Sequence, residues 1–150
     1  MSPRALFRAL AIAEAITWTG LITALILRAT LGLDAAVSVA GGIHGFVFLA
    51  YGATAVLVAV NQRWAIGVAV LAIASAVVPY ATIPTELWLA RSGRLDGEWR
   101  REATDDPRDA VVIDLLARWF IRHPLLLAAL IVVAIAALFT VLLVVGPPGR

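Results

Sequence analysis

Four long stretches of this chain run almost without charge: Ala9 to Leu27, Ala35 to Val60, Trp64 to Thr85 and Pro124 to Val145. The first contains one acid, Glu14, the second only the titratable His44, and the last only Thr140 as a polar side chain. Each approaches the ~20 residues that a helix needs to cross a hydrocarbon core of ~30 Å. A backbone in that core must satisfy its hydrogen bonds internally, which leaves helices or closed barrels. The runs are continuous rather than alternating, so helices are predicted. The first run is long, carries Glu14 and Trp18, and lacks a small-residue cleavage site, so it reads as a span and not as a cleaved signal peptide.

The connections predict the rest of the architecture. Short turns are expected around Arg28 to Asp34 and at Asn61-Gln62-Arg63, whereas Arg91 to His123 carries seven Arg and seven acids. Within it Asp106 suits an N-cap, Pro107 the first helical position and Asp109 the first turn. Asp114, Arg118 and Arg122 then recur four apart, opposite Val112, Leu115, Leu116, Trp119 and Phe120. One helix over Pro107 to Arg122 is predicted along the membrane surface, apolar side to lipid or bundle and Asp114 and Arg118 to water. Pro124 ends it. The expected fold is an all-α membrane protein: a four-transmembrane-helix bundle with one interfacial amphipathic helix between the third and fourth spans. Its parts are a three-helix core (1–90), a charged loop with the amphipathic helix (91–123) and the fourth span with a short tail (124–150).

Composition agrees. Hydrophobic residues make up 62% and mean hydropathy is +0.95, more apolar surface than a soluble domain of 150 residues can hide. Cysteine is absent, which removes thiolate metal sites, iron–sulfur clusters and disulfide exchange. A net charge of +2 gives no reason to expect nucleic acid. All 12 basic residues are Arg. Four spans put both termini on one side with Arg4, Arg8, Arg63 and Arg150, and put Arg28 and the seven loop Arg on the other. Counting bases places the charged loop in the cytoplasm, whereas Arg4 and Arg8 ahead of the first helix argue the reverse; both orientations stand.

Ionisable groups inside a bilayer are costly and usually face the bundle interior. With helix ends taken at the ends of the apolar runs, Glu14 lies ~10 Å in from the terminal side, level with Tyr51, and His44 lies ~10 Å in from the other side. Pro79, Thr82 and Glu86 fall on His44's side. Polar stripes recur at helical spacing: Glu14, Thr17 and Trp18; His44, Phe48 and Tyr51; Ser75, Pro79, Thr82 and Glu86. A polar seam of Glu14, Thr17, Trp18, His44, Tyr51, Thr82 and Glu86 is therefore expected, with Glu14 paired to Tyr51. It serves either helix register, a proton or ligand path, or partner docking. Gly41 and Gly45, with Gly52 a heptad on, suit close helix packing within the bundle or a dimer face.

Four blocks carry a resemblance. Phe7 to Trp18 places an acid, a small residue, a hydroxyl and an aromatic in order; Gly42 to Tyr51 is built on His44-Gly45; Gln62-Arg63-Trp64 forms the second turn; and Pro79-Tyr80-Ala81-Thr82 precedes Glu86. Over about residues 6–88 the chain resembles a bacterial family of small integral membrane proteins of unknown function, with a His-Gly dipeptide in a transmembrane helix. Ala15 stands where that pattern has Gly, and the charged loop and last helix look like an addition. The resemblance implies a location in the bacterial plasma membrane and no reaction.

No carboxylate pair, nucleophile–base pair or phosphate loop appears, so no enzyme is expected. No cofactor or metal is expected either: His44 and His123 are the only histidines and do not suit facing haem ligands. The expected partners are the lipid bilayer and other membrane subunits or a second copy. Two functions compete: a non-enzymatic accessory or scaffold subunit of a membrane complex, and a small proton-coupled transporter or ligand-binding module using Glu14, His44 and Tyr51. The accessory function is favoured because there is no internal repeat and only one Pro-interrupted helix.

Overall fold

The computed structural model describes residues 1–145; Arg150, counted above for orientation, lies outside them. The described residues contain helices and no strands. They form two compact units, divided along the chain between Trp99 and Arg100.

In the first unit, α1 (Pro3–Leu31) and α2 (Asp34–Asn61) pack against each other along their length. Both are long and apolar enough to cross a membrane. Ser2 caps α1 through its hydroxyl, which accepts from the Ala5 amide at 3.2 Å, and Pro3 occupies a position whose missing N–H costs nothing. Gly32 ends the helix at φ 68, donating its amide to Arg28 O. That left-handed cap is easy only for a residue without Cβ.

The third apolar run departs from expectation. It is not one span. Helix α3 (Ile66–Ala74) continues through a single 3₁₀ turn (Ser75–Val77), the chain reverses over residues 78–81, and α4 (Thr82–Arg91) follows. The cause is local. Pro79 has no amide to continue the helix, and it forces Val78 out of helical space to φ −102, ψ 125. Tyr80 then takes φ 65, which completes the reversal. Pro84 falls in the first turn of α4, where amides lack helical partners anyway. The carbonyls that the two prolines free are satisfied locally: Ser75 O accepts from Val78 N at 3.3 Å and Tyr80 O from Ile83 N at 3.2 Å. The expected stripe Ser75, Pro79, Thr82, Glu86 is consequently divided between two helices.

The reversal returns the chain to the end where it began. Trp99 Nε1 donates to Met1 O at 2.8 Å, and Arg4 reaches Asp96 at 3.4 Å. Asn61 and Gln62, at the end of α2, donate to Glu98 O and Gly97 O at 3.0 and 2.8 Å. Trp64 Nε1 donates to Arg94 O at 2.8 Å. Met1, Asn61 to Trp64 and Arg91 to Trp99 therefore share one end of the unit, with the α1–α2 turn at the other. Residues 91–99, expected as part of a separate loop, are a strap across the core. Phe7, Tyr51, Val58, Leu89 and Leu95 are fully buried at the centre of this packing.

The second unit begins with a 3₁₀ turn (Pro107–Ala110), then α5 (Val112–Arg122) and α6 (Pro124–Val145). Asp106 caps the turn, accepting from Arg108 N at 2.9 Å. The predicted single helix over Pro107 to Arg122 is interrupted, because Val111 is extended at ψ 138. The charged face is also placed differently. Asp114 and Arg118 are buried, not turned to water. Arg100 pairs with Asp109 at 3.1 Å and Asp114 at 2.7 Å, Arg118 pairs with Asp109 at 2.9 Å, and the Thr104 hydroxyl donates to Asp109 at 2.7 Å. Periodicity locates the charged side of α5 but not the arginine and aspartate that receive it. Val112, Leu115, Leu116 and Trp119 are exposed. A bend of 104° separates α5 from α6.

Candidate functional site

Halfway along α1, buried polar groups from three elements meet. Glu14 is fully buried, and neither carboxyl oxygen makes a hydrogen bond. His44 of α2 lies beside it, with Nδ1 3.8 Å from Oε2. The Thr17 hydroxyl lies 3.0 Å from Glu14 O and 3.1 Å from His44 Nδ1. A hydroxyl has one proton. Given to the carbonyl, it leaves the Thr17 oxygen to accept from Nδ1–H, which selects that tautomer of His44. Trp18 packs on the imidazole with ring centroids 4.5 Å apart, and its Nε1 donates to Ala76 O at 3.2 Å. Trp18 thus ties α1 to the tip of the α3–α4 hairpin. Tyr80, on the same tip, lies 3.3 Å from the Thr19 hydroxyl.

The expected Glu14–Tyr51 pair does not form. Tyr51 donates to Ala72 O at 3.0 Å and lies 3.1 Å from Ser75 Oγ, fastening α2 to α3. Its ring packs on Phe7 at 5.4 Å. The contacts between α1 and α2 set the register: Thr17 meets His44, and Gly41 faces Leu21.

Thr82 and Glu86 also lie against α1. Thr82 donates to Ala11 O at 3.0 Å, and Glu86, buried, accepts from Arg8 Nε at 2.9 Å. Sequence reasoning does not single out Arg8. An acid and a base on the same side of the bilayer would identify the pair, but a third run that crosses the membrane puts Glu86 on the far side. Together Arg8–Glu86, Ala11–Thr82 and Trp18–Ala76 line the contact between α1 and the hairpin from one end to the middle of α1. Of the glycines, Gly41 faces α1, where a Cβ would meet Leu21 Cδ1 at 4.0 Å, an ordinary contact. A Cβ at Gly52 would enter open space. Gly45 is half-buried one turn after Gly41.

Arranged this way, the site can hold a proton on Glu14 or His44, or share one between them, away from bulk water. No group of three or more His, Cys, Asp or Glu among the described residues is placed to hold a metal ion.

Comparison with known proteins accounts for most of the first unit. Residues 4–91 match the family described as a domain of unknown function, DUF3817, and the chain belongs to that family. It is also 37% identical over 91 residues to a provisionally named membrane protein of Streptomyces coelicolor. The match covers 59% of this chain but only 11% of that protein. No solved structure matches. The chain is a membrane protein, with helices apolar and long enough to span.

Proposed function

We propose that this member of the DUF3817 family is a non-enzymatic accessory or scaffold module of a larger assembly in the bacterial cell membrane. The hairpin tip carries the reading. Trp18 and Thr19, near the midpoint of α1, hold Ala76 and Tyr80, so the tip lies near mid-membrane when α1 spans. Non-helical backbone at that depth is tolerated only inside protein or beside a water-filled cavity. Val77, Val78 and Tyr80 are nevertheless 64%, 56% and 44% exposed. Another membrane polypeptide seated there supplies the missing cover. The relative in Streptomyces coelicolor supports the same reading, because there the matched 91 residues form a small segment of a much longer membrane protein.

Arginine placement supports an orientation. Arg4, Arg8, Arg63, Arg91 and Arg94 belong to the end bearing Met1, and Arg28 to the other. Basic residues favour the cytoplasm, so α1 and α2 cross with that end inside. The hairpin is re-entrant from the same side. Pro124–Val145 adds a further span, with α5 along the interface: its exposed apolar face and the 104° bend favour that placement.

The test is purification in mild detergent at native abundance. A stoichiometric membrane partner is expected to co-purify, and Val78→Trp at the tip is expected to release it. A partner retained by Val78→Trp, or recovery of a lone chain, counts against the assignment. A second reading, a proton-coupled module, rests on the buried Glu14 beside His44. A lone chain that carries a pH-dependent flux in liposomes, abolished by His44→Ala, decides for it.

A further inference from the structure

The outer face of α4 has a chemical gradient along its axis. Pro84, Leu87, Trp88, Arg91 and Ser92 line an open recess of about 330 Å³. It runs from apolar residues on the side of the hairpin tip to cationic and hydroxyl groups at the end shared with Met1. Arg94 stands over the Trp88 ring at 4.8 Å, which adds a second guanidinium beside the recess. The Arg91 side chain makes no hydrogen bond or ion pair among the described residues. Trp64 and Trp99 lie at the same end, and indoles gather at the level of lipid headgroups.

We propose that this recess is a binding site for an anionic phospholipid. Residues 84 to 92 span ~12 Å along a helix, a length that takes the upper part of an acyl chain, the glycerol backbone and the phosphate in order. Pro84 and Leu87 contact the chain. Trp88 sits at the ester level, where its body is apolar and its N–H wet. Arg91 meets the phosphate with a planar fork of donors, and the Arg94 guanidinium, held on the indole, adds a second positive charge beside it. The C-terminal carbonyls of α4 disfavour an anion there, and a recess with the arginines removed would have no preference for one. A zwitterionic lipid fills the apolar part equally well but brings a cation to the two guanidiniums. The site is independent of the accessory assignment: it requires only that this end of α4 lie at a membrane surface.

The experiment uses the full chain in bilayers of phosphatidylcholine. Brominated phosphatidylglycerol or brominated phosphatidylcholine is added at equal mole fraction, and tryptophan fluorescence is read. The portion due to Trp88 is taken as the difference from Trp88→Phe. Phosphatidylglycerol is expected to bind several-fold more tightly than phosphatidylcholine at Trp88. Arg91→Gln is expected to reduce that preference roughly five-fold, the effect of one basic residue near a charged surface, and Arg91→Lys to keep most of it. The proposal is overturned if Trp88 shows no preference, if Arg91→Gln leaves the preference intact, or if millimolar inorganic phosphate abolishes it, which would make free phosphate the ligand.

Discussion

Glu14→Leu is expected to make the protein more stable. Both carboxyl oxygens of Glu14 are buried without a hydrogen bond, and an unsatisfied buried polar group costs ~1–3 kcal/mol, more when charged. Leucine has similar volume and removes that cost while keeping contact with α2. Replacing buried ionic groups by packed apolar ones is often neutral or stabilising. A gain of ~1–3 kcal/mol is expected for Glu14→Leu in reversible unfolding from mixed micelles. Glu14→Ala forfeits that gain by leaving a cavity. Were Glu14 a structural partner of Tyr51, as equal depth suggests, Glu14→Leu would destabilise by a similar amount; such a loss would refute the observed geometry of Glu14.

Tyr51→Phe is expected to loosen the hairpin and leave α1 and α2 together. The Tyr51 hydroxyl is fully buried and joins Ala72 O and Ser75 Oγ. Its removal costs ~0.5–1.5 kcal/mol, because Ser75 still donates to Ala72 O, and the loss is drawn from the contact between α2 and α3. Ser75→Ala is expected to cost less, because Tyr51 still reaches Ala72 O. Amide exchange should accelerate over residues 66–91 in Tyr51→Phe, with the α1–α2 contact protected as before. Equal acceleration throughout the first unit, or none, would show that the hydroxyl does not hold the hairpin.

Much of this fold is legible in the sequence. The uncharged runs locate α1, α2 and α6, and Glu14 and His44 declare themselves as ionisable groups within apolar helices. Asp106-Pro107 marks a helical start that forms, though as a 3₁₀ turn. The reversal after Val77 is not legible as such. The run from Trp64 to Thr85 is long enough to span, and Pro79 within it is equally compatible with a kinked span and with a turn. What separates the two is the positive φ of Tyr80 and the partners that await the returning chain: Ala11 for Thr82, Arg8 for Glu86, Met1 for Trp99. The three partners are long-range contacts, which periodicity does not report. The same holds for α5. Its amphipathic spacing is plain, but the burial of Asp114 and Arg118 depends on Arg100 and Asp109.

The hairpin of α3 and α4 sets its tip against Trp18, which packs on His44, and turns the third run back on itself, so the proposed re-entrant topology depends on it. The chain has no cysteine, so single cysteines introduced at Ser2, Leu33 and Ser92 can be labelled without background. With a membrane-impermeant maleimide applied to sealed vesicles of known orientation, Ser2 and Ser92 are predicted to react from the same face, and Leu33 from the opposite one. Labelling of Ser2 and Ser92 from opposite faces would mean that the third run crosses the membrane, and would contradict the re-entrant fold.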